Sequence, residues 1–173
     1  LEDLKSPCTE EVAVFHAFSK AISMAKRIFV VMDTAPTGHT LLLLDTAGSY
    51  HRDIMRNNIN AGRIKTPYMY LQDHELSKII MVSLPETTPM REAASLQDDL
   101  KRAGIKPYAW LINQSLSMLT GISDPLLKSR ANAETDVINT IKSNYSERTF
   151  GIPFIAEKKL LPALLDRHLK KSR

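Results

Sequence analysis

The chain has 173 residues, 43% hydrophobic and 24% charged, the balance of a globular domain long enough to bury a core. Lysine and arginine outnumber aspartate and glutamate 23 to 19, a net charge of +4, with the excess gathered in the terminal RHLKKSR. No apolar run approaches the ~20 residues of a membrane span, no basic strip is interleaved with aromatics, and the single cysteine, Cys8, excludes an internal disulfide or a CxxC zinc site.

These features point to a soluble protein of a reducing cytoplasm, with no direct membrane span and no nucleic-acid partner. The first residue is Leu1 rather than Met, and LEDLKSP lacks the apolar core of a signal peptide. A fragment or a processed product is therefore expected.

In chain order, Val14, Phe18, Ala21, Ile22 and Ala25 recur at helical spacing, predicting a helix from Thr9 to about Lys26. Thr9 suits its N-cap, with Glu10 and Glu11 in the first turn. Ile28 to Met32 is apolar at every position and reads as a parallel strand covered on both faces. A second helix is expected from His39 to about Asn57, then a long excursion over Asn57 to Met69. Strand and helix alternate from there: Lys78–Leu84 as strand, Thr88–Ala103 as helix with Pro89 near its start and Gly104 as its stop, and Lys106–Ile112 as strand. Asp124-Pro125 opens a long helix to Asn144, Arg148–Ile155 is a last short strand, and Leu160–Leu169 a closing helix. The alternation predicts an α/β fold, a mainly parallel sheet flanked by helices.

The loudest local signal is IFVVMDTAPTGHTLLLLDT, residues 28–46, where an apolar run halts at Asp33 and restarts after a glycine-containing turn. Ligands of open parallel sheets sit beyond the carboxyl ends of the strands. A carboxylate there can hold Mg²⁺ through water, Gly38 permits a sharp turn, and the N–H groups of the next helix face an anion. A helix N-cap aspartate in a tight turn explains the same residues equally well.

DTAPTGHT, read with LINQS at Leu111–Ser115 and SPCTEE at Ser6–Glu11, resembles the arsenical pump-driving ATPases over nearly the whole chain. The likeness is to the C-terminal part of that family's second nucleotide-binding half. It implies a deviant P-loop NTPase fold and one partial ATPase domain over residues 1–173. It implies ATP and Mg²⁺ as cofactors, arsenite or antimonite as allosteric ligand and cargo, and a membrane arsenite carrier subunit as partner at the inner membrane. The absent N-terminal half of the same protein is a further partner.

By the same resemblance, Asp33 is the Mg²⁺-linked catalytic aspartate, and Thr34, Ala35, Pro36, Thr37, Gly38, His39 and Thr40 form the switch loop. Asn113 is the adenine-recognising amide, which can donate and accept at a base edge, with Pro153 and Phe154 on the adenine side. Cys8, His39 and Ser6 are the metalloid ligands, a soft thiolate suiting a soft trivalent ion. Read alone, Asn113 is a turn residue, Cys8 a small buried hydrophobe and His39 a surface residue.

No GxxxxGK[ST] occurs: none of the six glycines is followed by lysine. The resemblance places that phosphate-binding loop upstream of Leu1, so ATP hydrolysis is expected of the intact protein and not of this chain. One thiolate also leaves the metalloid site incomplete. Two alternatives stand beside this reading. One is the sister ATPase that targets tail-anchored membrane proteins. The other is a non-catalytic nucleotide- or partner-binding domain.

Overall fold

A computed structural model describes residues 7–25, 27–34, 37–57 and 65–155, with side chains from His16 in the first helix and from Ala47 in the second. Ser6, Ala35, Pro36, residues 58–64 of the expected excursion and the expected helix Leu160–Leu169 lie outside them. The order is α1 (Pro7–Met24), α2 (Thr37–Asn57), α3 (Pro67–Gln72), β1 (Ile80–Ser83), α4 (Thr87–Arg102), β2 (Ala109–Ser115), α5 (Pro125–Asn144) and β3 (Thr149–Pro153). Contacts divide the chain into two compact units. One holds the chain through Ile79 with Ser95–Pro107; the other holds Ile80–Ala94 and the chain from Tyr108 onward.

In the first unit, α1, α2 and α3 pack on one another. Helix α1 starts at Pro7, so Thr9 lies inside its first turn and is not its cap. Proline's fixed φ and missing N–H suit that position. Within the expected excursion, Pro67 likewise opens α3, so Met69 is helical. Buried Thr66 accepts or donates a hydrogen bond with His51 Nδ1 at 2.9 Å, and the His51 ring stacks on Tyr68 at 5.7 Å. His51 therefore has a packing role.

The end of α4 was legible in detail. Gly104 adopts φ +73°, and Gly104 N–H donates to Lys101 O at 2.9 Å while Ile105 N–H donates to Leu100 O at 2.8 Å. This is the paired closure of a left-handed helix stop, with the accompanying contact residues Leu100 and Ile105 both buried. Tyr68 Oη and Gln72 Nε2 donate to Ala103 O at 2.6 and 2.8 Å and hold the stop against α3.

The expected strand Ile28–Met32 is not a strand. Residues 29–34 run without a ladder, and Phe29 and Val31 are 92% and 79% exposed. Apolar residues alone do not make a strand: the extended chain needs a neighbour to take its N–H and C=O groups. Among the described residues β1, β2 and β3 pair only among themselves, in the order β1-β2-β3, both pairs parallel.

In the second unit, Met81, Ser83, Trp110 and Ile112 share the buried face of that sheet, and Ile80, Val82 and Phe150 lie exposed on the other. Helix α5 packs on β2 and buries Glu134, Ile138 and Ile141 at helical spacing. Its start is the expected one: Asp124 accepts the Leu127 N–H at 2.9 Å, with proline at the first helical position. The fully buried Trp110 stacks on Tyr145 at 5.6 Å just past the end of α5.

Candidate functional site

Three of the candidate residues lie at the carboxyl end of the sheet. Strand β2 continues to Ser115, three residues beyond the expected end at Ile112, so Asn113 lies within it and not after it. The run LINQS keeps pairing because a bulge absorbs one extra residue, setting Asn113 and Gln114 opposite Ile152: the β2–β3 register passes from Ile112↔Gly151 to Ser115↔Pro153. Gln114 takes the bend in a left-handed conformation, φ +58°, uncommon for a residue with a side chain. The ladder closes again where Phe154 N–H donates to Ser115 O at 2.9 Å.

Asn113, Pro153 and Phe154 thus share one sheet edge. Asn113 is half-buried and its amide makes no hydrogen bond to the described residues, while the Phe154 ring is 43% exposed. An amide can donate and accept at the edge of a planar heterocycle and an exposed aromatic ring can cover its face, and both residue types stand at this end of the sheet.

One buried carboxylate, which no sequence motif marks, bonds to this edge. Glu134 of α5 is 3% exposed. Its Oε2 accepts from Ser115 Oγ at 3.0 Å and from Ser117 N–H at 2.9 Å. The two serine hydroxyls are themselves 2.9 Å apart. A carboxylate four and seven residues before Ile138 and Ile141, on their apolar stripe, was the available signal. Glu134 also lines a cleft of ≈390 Å³ with Pro85, Glu86, Thr87, Arg130, Ala133 and Val137. Arg130 donates to Glu86 at 2.7 Å across it.

Asp33 and Thr34 belong to the first unit. Both are exposed and follow Ile28–Met32, which forms no strand, so Asp33 does not end a strand of the described residues. Thr37, Gly38, His39 and Thr40 are the first turn of α2, which opens two residues before the expected His39; their side chains lie outside the description. An exposed carboxylate a few residues before a helix N-terminus has the donor type that Mg²⁺ takes and leaves room for its waters.

Cys8 is the second residue of α1 and His39 the third of α2, each in the first turn of its helix. Neither side chain is described, and Ser6 lies outside. Among the described residues no three His, Cys, Asp or Glu side chains gather as a metal site. No helix among them is long and apolar enough to cross a membrane.

Comparison with known proteins carries the assignment further. The family model described as anion-transporting ATPase matches residues 1–60 and 47–158. The arsenical pump-driving ATPase of Escherichia coli is 54% identical over 157 residues, covering 91% of this chain and 27% of that protein. Its counterpart in Acidiphilium multivorum is 53% identical over 157 residues, again 91% of this chain and 27% of that protein. The chain spans about a quarter of the length of the curated relatives it matches. With a match that runs through nearly all of its residues, the chain belongs to the anion-transporting ATPase family.

Proposed function

We propose that the chain is the C-terminal part of the second nucleotide-binding half of a longer ATPase, one that couples ATP hydrolysis to arsenite or antimonite efflux through a membrane carrier at the inner membrane. The observation that carries this reading is the 54% identity to a protein named arsenical pump-driving ATPase over 91% of the chain. Residues 1–173 form one partial ATPase domain in this reading, completed by the rest of the protein.

The residues divide the work as follows. Asp33 holds a water of the Mg²⁺ that, when bound, draws charge from the terminal phosphates. Thr34 to Thr40, leading into α2, carry the nucleotide state onward to the metalloid. Asn113 reads the adenine edge, and Pro153 and Phe154 cover the base; the unspent amide and the open ring support that division. Cys8, His39 and Ser6 bind the metalloid with ligands from the other half. A thiolate at a helix N-terminus is stabilised by the N–H groups there, although Glu10 and Glu11 oppose the effect.

The test is ATP hydrolysis by the full-length protein with and without antimonite. Antimonite is expected to stimulate the rate, and Cys8→Ala to remove that stimulation. A rate indifferent to antimonite in the unsubstituted protein contradicts the metalloid reading and favours a relative with another cargo.

A further inference from the structure

We propose that Glu134 is a positioning residue for base recognition, a buried brace through which α5 sets the orientation of Asn113. The proposal rests on the reading of Asn113 as the adenine-recognising amide.

Asn113 lies inside a bulge, where it and Gln114 stand opposite Ile152 alone and the regular register of β2 with β3 is interrupted. Its direction therefore depends on what anchors the chain on either side. Before it, Ile112 is fully buried and paired with Gly151. After it comes Gln114 at φ +58°, a conformation that a residue with a side chain keeps only when its surroundings impose it. The anchor that imposes it is Ser115. Its carbonyl accepts the Phe154 N–H, and its hydroxyl donates to Glu134 Oε2, which also takes the Ser117 N–H.

The β3 bond ties Ser115 to the neighbouring strand in the plane of the sheet. The Glu134 bonds tie it to α5 and stop the chain from unrolling the left-handed bend. A carboxylate taken out of water is costly unless its oxygens are bonded. A neutral residue would fill this place on an apolar stripe at less cost, so the two donated hydrogen bonds are the feature that explains a glutamate here. Both donors lie within four residues of Asn113. Withdrawing the acceptor leaves Ser115 and the Ser117 N–H without it, relaxes Gln114 toward the common β region, and swings the Asn113 amide away from the base.

The test is steady-state hydrolysis of ATP and GTP by the full-length protein, read as the ratio of kcat/KM for the two nucleotides. Their phosphates are alike, so a general loss of fold lowers both together, whereas a turned Asn113 raises the KM for ATP selectively. Glu134→Ala is expected to reduce the ATP preference roughly tenfold. Glu134→Gln, which keeps an acceptor oxygen, is expected to retain most of it. Ser115→Ala withdraws one donor and leaves the Ser117 bond; it serves where Glu134→Ala does not fold, and is expected to reduce the preference several-fold. An unchanged ratio in Glu134→Ala or Ser115→Ala, with a reduced ratio in Asn113→Ala, overturns the bracing role alone. An unchanged ratio in Asn113→Ala overturns the reading of Asn113, and this proposal with it.

Discussion

Gly104→Ala tests whether the stop of α4 is set by backbone conformation together with its contact to α3. At φ +73° an alanine meets a steric penalty of roughly 1–2 kcal/mol that glycine escapes. The added Cβ would also stand 2.8 Å from Gln72 Nε2. Gln72 must then swing aside, and its hydrogen bond to Ala103 O, worth about 1 kcal/mol, is lost. Tyr68 still donates to the same carbonyl, so no buried acceptor is orphaned. A stiffer unfolded chain returns about 0.5 kcal/mol. The net loss is about 2 kcal/mol, which at a urea slope of ~2 kcal/mol/M lowers the midpoint of the chain by about 1 M, followed by circular dichroism. In a Gln72→Ala background the contact part is already gone, and the added loss from Gly104→Ala should shrink by about 1 kcal/mol. A midpoint unmoved by Gly104→Ala refutes the conformational argument; strict additivity in the double variant refutes the contact argument.

Other outcomes follow from single interactions. Asp124→Ala removes the acceptor for Leu127 N–H and should cost about 1 kcal/mol by urea titration, with Asp124→Asn or Asp124→Ser recovering most of it. Phosphate-release assays on the 173-residue chain alone should match a no-protein control, because its sequence holds no GxxxxGK[ST]. The same chain should bind antimonite only weakly in a titration, since it supplies one thiolate; submicromolar binding lost on Cys8→Ala would show a complete site.

How far the sequence could be read depended on whether a feature is local. The stop at Gly104 and the start at Asp124-Pro125 are set by a few neighbouring residues, and both stand where their types place them. The parallel sheet was legible from alternation alone. The segment Ile28–Met32 was not, because a strand is a relation between two chain segments and only one of them can be read from its own residues. Asp33 accordingly follows an irregular segment and not a strand. Asn113 was placed one step outside its strand because apolar periodicity ends at Ile112, while the ladder continues through a bulge that polar residues occupy. Glu134 went unread because a carboxylate in an amphipathic helix is assigned to the wet face by default; only its serine partners, far along the chain, reveal it as buried.

The most direct measurement is a crystal structure of the full-length protein with Mg²⁺ and a non-hydrolysable ATP analogue. The expected result is the Asp33 carboxylate about 4 Å from the cation, reaching it through one of its bound waters. An Asp33 side chain turned away from the cation, with another carboxylate in its place, would contradict the assignment.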